Sequence, residues 1–153
     1  MSQVDNGPRA MTAVERAIAL RNVDAFRGVP MEQLAHLAAV AREATYPQGD
    51  VLFREGEPPG SLIVILEGKV LLERDGETFA EAEAGEPLGT WSLFDDRPRR
   101  AGARVAQDAR VLLLDRDEFY EVLSEHVEIV KSLVQDLVRK LVELTGLERE
   151  DEA

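Results

Sequence analysis

The chain has 153 residues, 44% of them apolar and 31% charged, with a formal net charge of −12. That length suits one domain around one core, and the acidic balance argues against wholesale binding to nucleic acid phosphates. There is no cysteine, hence no disulfide and no thiol chemistry. No apolar run has the length of a membrane span or the form of a signal-peptide core, so a cytoplasmic protein is expected.

Residues 1–10 contain Asn6-Gly7-Pro8 without periodicity and are expected to form a frayed terminus. Helical spacing governs 11–43. Thr12 followed by Glu15 is a capping box, and Met11, Val14, Ile18 and Leu20 recur near helical spacing up to Arg21. Asp24 is placed to cap a short turn through Phe26 that Gly28 stops. Residues 30–43 predict a second helix with Met31, Leu34, Leu37, Ala38 and Ala41 on one face. His36 has no second histidine near it in sequence and is read as a packing or surface residue, not a metal ligand.

From 44 to 116 the period becomes that of strands. Residues 46–50 form a turn, 51–53 a short strand and 55–60 a second turn with two glycines and two prolines. The β-rich run 61–66 is followed by a tight turn at Gly68 and a strand over 69–74. Asp75-Gly76 is a hairpin signal leading to 77–83. Residues 101–106 and 110–114 are the last strands. Short strands at close spacing with glycine turns predict a small β-roll or barrel.

Within this half, residues 88–105 stand out: LGTWSLFDDRPRRAGARV. Gly89 permits close backbone approach and positive φ. Thr90 opens one or two helical turns through Trp91, Ser92, Leu93 and Phe94, and free N–H groups at such a start favour negative charge. Ten residues on, Pro98 holds Arg99, whose planar fork can bind two oxygens of one phosphate. Arg97, Arg99, Arg100 and Arg104 make a local basic patch against the acidic background. The alternative reading is a solvated turn in which Asp95 and Asp96 pair with these arginines.

Residues 117–146 return to helix, with Asp117 or Ser124 as candidate caps. Phe119, Val122 and Leu123 form an apolar face. Val127, Val130, Val134, Leu137, Leu141 and Leu144 follow as a heptad seam. Ile129, Leu133, Val138 and Val142 widen it into a second stripe. One stripe is expected to pack on the β-roll and the other on a partner; burial of both within one subunit is the alternative. His126 is read as structural. Residues 147–153 are an acidic tail.

The 88–105 stretch resembles the phosphate-binding cassette of the cyclic nucleotide-binding domain family, through Gly89, Leu93, Pro98, Arg99 and Ala101. The run 49–70, with Gly49, Gly56 and Gly68 at turn places, is similar to the first half of the same domain. The resemblance covers about residues 26–141. It implies an α+β, mainly β fold: a double-stranded β-helix or jelly-roll-like β-roll with flanking N-terminal helices and a long C-terminal helix. It implies a regulatory module that binds cyclic AMP or cyclic GMP, signals through its last helix to a protein effector, and forms a homodimer through 117–146. The ligand-binding residues it implies are Leu88, Gly89, Thr90, Trp91, Ser92, Arg99, Arg100 and Ala101. Family members that regulate transcription carry a helix-turn-helix domain after the final helix; with the chain ending at Ala153, no direct DNA binding is expected.

Two positions depart from the family pattern. Thr90 stands where the family has a glutamate that accepts a hydrogen bond from the ribose 2′-hydroxyl, and Arg100 stands where a small or hydroxyl residue is usual. Loss of a charge-assisted hydrogen bond costs roughly 1.5–3 kcal/mol, about 10- to 100-fold in affinity. A second reading is therefore a more positive pocket for another phosphate ligand, such as a cyclic dinucleotide. A third is a ligand-free dimeric scaffold in which Arg99 is satisfied internally. Enzyme readings lack parts: two histidines outside the strands assemble neither a metal site of the cupin type nor a Ser-His-Asp set. No catalytic residue, metal or cofactor is assigned.

Overall fold

The computed structural model describes residues 10–146. Of the expected frayed start over 1–10, residues 1–9 lie outside the described residues, as does the acidic tail over 147–153. Helix α1 (Ala13–Arg21) begins at the capping box: Glu15 N–H donates to Thr12 Oγ1 (3.1 Å) and Thr12 N–H donates to the Glu15 carboxylate (2.8 Å). Its buried residues are Ala17 and Leu20, whereas Val14 and Ile18, expected on the same face, are exposed. Ile18 and Leu20 are two positions apart, which on a helix puts them on opposite sides. A 3-10 turn (Asp24–Phe26) follows, then α2 (Met31–Val40), which buries Leu34, Leu37 and Ala38.

Arg42 and Glu43, expected to extend α2, instead open strand β1 (Arg42–Tyr46), because Ala41 is extended and Arg42 pairs with Leu113. The remaining strands are β2 (Val51–Phe53), β3 (Leu62–Arg74), β4 (Glu77–Glu83), β5 (Pro87–Leu88) and β6 (Gly102–Leu114). They form one antiparallel sheet in the order β1-β6-β3-β4, with β2 also on β6 and β5 also on β3. The sheet curls into the expected β-roll. The Asp75-Gly76 hairpin is present, both residues lying at positive φ.

Two pairs of expected strands are single long ones. β3 runs through Gly68 and β6 runs through residues 107–109, so Gly68 is not a tight turn. It stands at φ +96° where the β3–β6 register shifts. A Cβ there would overlap the Asp108 carbonyl oxygen and lie 2.8 Å from Ala109 Cα. The strand crosses its partner too closely for any side chain, and glycine lets it bulge without ending.

β3 and β6 each serve two cores. Leu62 and Val64 pair with Leu114 and Leu112 and face the helices, where they meet Leu20, Phe26, Leu34, Leu37, Phe119 and Ile129. Ile63 and Ile65 pair with Leu113 and Val111 and face into the roll with Phe53, Val70 and Val105. Burial on both faces explains why these segments read as continuous apolar runs without alternation.

Helix α4 (Arg116–Glu125) is not capped by Asp117 or Ser124. Asp115 holds the cap position, but its carboxylate turns to Ser61 Oγ (2.5 Å) and Arg42 Nε (3.2 Å). The chain then breaks at His126, and α5 (Val127–Thr145) starts afresh. The inner stripe of α5 packs on the helical side of the fold, in the core that the helices share with the outer face of β3 and β6. Ile129 and Leu133 enter the helical core against α2 and the 3-10 turn. Buried Asp136 abuts Gly28, where a Cβ would not fit, and Lys140 Nζ bridges Asp136 and Asp24. The seam residues Val127, Val130, Val134, Leu137, Leu141 and Leu144 are exposed, and so is Val138 from the second stripe. No helix among the described residues is long and apolar enough to cross a membrane.

The expectation that His36 stands alone is overturned. Its ring stacks on that of His126, with centroids 3.6 Å apart and planes 18° apart. The two are ninety positions apart in the chain, and packing of α2 against the α4–α5 junction brings them together.

Candidate functional site

Arg99 is held inside the fold from three directions. Its N–H donates to the Glu57 carbonyl (2.8 Å), and its own carbonyl accepts from Gly56 N–H (2.8 Å), so its backbone is pinned to the β2–β3 loop. Its Cζ lies 4.0 Å from the centroid of the Phe53 ring, a cation–π contact. Nη2 donates to the Ser61 carbonyl (3.1 Å). Nη1 is buried and has no hydrogen-bond partner among the described residues. Desolvation lowers the pKa of this guanidinium below its ordinary range, partly offset by the nearby Glu57 carboxylate. Arg99 as a whole is half-buried, but its buried Nη1 lacks a hydrogen-bonded counter-charge, which is costly, and an anion on Nη1 offsets that cost.

Gly89 forms the facing wall. It has φ +76°, and a Cβ there would collide with Arg99 Nη1 and stand 3.1 Å from the Ser61 carbonyl oxygen. Together they border a hollow of about 240 Å³. Leu88, Trp91, Ser92, Arg100 and Ala101 line it as well, so seven of the eight expected site residues come together. The eighth, Thr90, does not line it. Thr90 opens on an adjacent groove of about 510 Å³ between α3 (Trp91–Phe94) and α5, with Phe94, Leu133 and Leu137 on its walls. Pro87 and Trp91 border both spaces.

The basic patch is not one surface. Arg97 pairs with Asp95 (2.5 Å) and Arg104 with Glu73 (2.5 Å). Arg100 is exposed, while Arg99 alone of the four points inward. Asp96 pairs with Arg116, so neither acid of the turn neutralises Arg99. Ser92 N–H already donates to the Gly89 carbonyl (2.9 Å), which commits one amide of the α3 start to the turn itself.

Sequence reasoning missed the residues that hold this loop in place. Arg116, at the start of α4, donates to the carbonyls of Ser92 and Asp95 as well as to the Asp96 carboxylate. Tyr120, one turn later, donates to the Leu93 carbonyl (2.5 Å). Phe119 packs edge-on to Phe94, with centroids 5.5 Å apart. Ser61 joins the sides: its carbonyl takes Arg99, and its hydroxyl takes the Asp115 carboxylate at the head of α4. These partners lie twenty or more positions from the residues they hold, and no local motif marks them.

Residues 43–126 match the family model of the cyclic nucleotide-binding domain. The chain belongs to that family. It is similar to the CRP-like cAMP-activated global transcriptional regulator of Mycobacterium tuberculosis, with 31% identity over 76% of this chain and 54% of that protein. It is also similar to a cGMP-dependent protein kinase of Caenorhabditis briggsae, with 26% identity over 75% of this chain and 16% of the kinase. Among solved structures, the N-terminal domain of a transcriptional regulator from Streptomyces coelicolor superposes with a TM-score of 0.74 and 33% identity, covering 84% of this chain and 95% of that one. The chain spans about half the length of the Mycobacterium relative. As a cyclic nucleotide-binding domain, it places Arg99, Gly89 and their loop in the stretch that resembles the family's phosphate-binding cassette.

Proposed function

We propose that the protein is a regulatory sensor that binds cyclic AMP or cyclic GMP in the Arg99 hollow and signals through α4 and α5. The observation that carries this reading is the buried, unpartnered Nη1 of Arg99 beside Gly89. In this reading the cyclic phosphate takes the free edge of the guanidinium, and Gly89, Ser92, Arg100 and Ala101 close around it. Leu88 and Trp91 flank the sugar, and the base extends past Trp91 toward the apolar groove under α5. The sensing unit is residues 11–146. That one relative is cAMP-activated and another is a cGMP-dependent kinase supports the ligand class and leaves both nucleotides to be tested.

The signal follows from the contacts. Ligand on Nη1 draws on Arg99 and the loop, which Arg116, Tyr120 and Ser61 tie to α4. A shift of the loop is thereby a shift of α4 and of the α5 helix behind it, a population change driven by differential affinity. The exposed seam on α5 supports a homodimer as the output. Light scattering then gives a dimer mass, and Leu137→Glu returns the monomer; a wild-type monomer rejects that part.

Isothermal titration with cyclic AMP and cyclic GMP, and with Arg99→Ala as control, tests the binding. Heat from either nucleotide that Arg99→Ala abolishes is the expected result. No heat from either at high concentration overturns it in favour of a ligand-free scaffold. Thr90→Glu separates the remaining alternative. If only ribose recognition is weakened in this chain, the substitution gains roughly 10- to 100-fold in cyclic AMP affinity; no gain points to a different phosphate ligand, such as a cyclic dinucleotide.

A further inference from the structure

We infer that His36, His126 and Glu128 form a binding site for a transition-metal dication, Zn2+ being the fitting probe, that fastens the start of α5 to α2. The chain has only two histidines, and the fold brings both to one place. Both are half-buried, and Glu128, in the first turn of α5, places its Oε2 3.3 Å from His126 Nδ1. One ligand atom from each of the three residues lies within 4.8 Å of the others.

The donor set selects the metal. Two imidazoles and one carboxylate suit Zn2+, Co2+, Ni2+ and Cu2+, whereas Mg2+ and Ca2+ seek oxygen alone. Three protein ligands leave a fourth tetrahedral position for water or an outside donor. With bonds of about 2.0–2.2 Å, donor atoms on one Zn2+ stand roughly 3.4 Å apart. Glu128 Oε2 and His126 Nδ1 already stand at 3.3 Å, and one donor atom from each of the three residues lies within 4.8 Å of the others. Stacked rings direct their nitrogens nearly parallel, so the two rings must splay for their lone pairs to converge. The site closes on the ion as it binds.

The surroundings are built for such a clamp. One turn further along α5, Ser132 Oγ donates to the Gln33 side-chain oxygen (2.7 Å), so the α2–α5 contact is already polar and specific. A net charge of −12 raises the local concentration of cations. An ion here holds the α4–α5 junction against α2 at the point where α5 departs from α4. This inference does not depend on the nucleotide reading.

The test is Zn2+ titration of the full chain after treatment with a chelator, followed by calorimetry and by 15N spectra of the imidazole rings. The expected result is one Zn2+ per chain, with the ring nitrogens of both histidines shifting together. His36→Ala and His126→Ala should each weaken binding by more than the roughly 10- to 100-fold that loss of an outer-shell partner costs. Glu128→Gln, at an exposed position, should weaken it with the fold intact. Zn2+ binding that leaves the imidazole signals unmoved, or that survives loss of either histidine, is adventitious carboxylate binding and overturns the inference. So does absence of binding. The ring spectra need no variant, so a histidine substitution that fails to fold does not leave the question open.

Discussion

Gly89 and Arg99 compete for one space: the missing Cβ of Gly89 is what lets Arg99 Nη1 lie where it does. The relation is steric and conformational at once, since Gly89 also stands at φ +76°. Gly89→Ala should therefore cost about 1 kcal/mol or more of stability from backbone strain and displace the guanidinium. Nucleotide titration of the variant should show binding reduced at least as far as in Arg99→Ala. Undiminished affinity would mean that Nη1 is not the phosphate ligand.

In the proposed reading, Arg99 serves binding at the expense of stability, because its Nη1 is buried without a partner. Replacing a half-buried charge whose inner nitrogen is unpartnered by an apolar side chain of similar length is often neutral or stabilising. Arg99→Met should leave the ligand-free unfolding free energy within about 1 kcal/mol of the native value, or raise it. The same variant should lose its thermal shift with cyclic nucleotide. A large drop in ligand-free stability would instead assign Arg99 a structural role through Ser61 and Phe53.

Arg116 is the main strap between the α3 loop and α4. Arg116→Ala leaves the Ser92 and Asp95 carbonyls without that donor and should cost about 1–3 kcal/mol. Amide exchange over residues 89–96 should accelerate more than exchange in the β3–β6 ladder. Tyr120→Phe, which removes one hydrogen bond to Leu93, should cost about 0.5–1.5 kcal/mol. Equal acceleration throughout the sheet would argue against a local strap.

Asp115 gives the fold an acid-sensitive joint. The Ser61 hydroxyl first, and Arg42 second, hold its carboxyl below the usual range. A depressed folded value means that its contribution is complete above the unfolded value of about 3.9 and is lost as pH falls through the folded one. Asp115→Asn should therefore lower stability at pH 7, and the gap to wild type should narrow below about pH 3.9. Urea unfolding across that range measures it; a constant gap would assign the loss to packing.

Much of the architecture was legible because it is local. The capping box at Thr12, the Asp75-Gly76 hairpin and the apolar face of α2 are each set within a few residues. Leu62 to Ile65 and Val111 to Leu114 were legible as strands for the same reason. Helix ends and strand continuity were not. Whether 42–43 extend a helix depends on Leu113 seventy positions away, and whether Gly68 turns or bulges depends on what Asp108 places opposite it. At the site, Gly89 and Arg99 were singled out by their residue types and by the resemblance of 88–105 to the family's cassette. Their supports, Phe53, Ser61, Arg116 and Tyr120, act through ring faces and backbone carbonyls that no residue pattern records. The two histidines looked isolated because sequence distance says nothing about which helices touch.

Gly68 also bears on how the chain finds its alignment. In most sheets a slip of one residue exposes an apolar row, and water rejects the error. Along 62–65 and 111–114 both rows are apolar, so a slipped ladder would simply exchange the occupants of the two cores. Solvent aversion is nearly blind to that mistake. The bare hydrogen of Gly68 against the Asp108 carbonyl is not, because only one alignment sets the residue without a side chain at the crossing. It serves as the key of the ladder, and Gly68→Ala should betray itself by slow, heterogeneous refolding with doubled amide signals in both long strands.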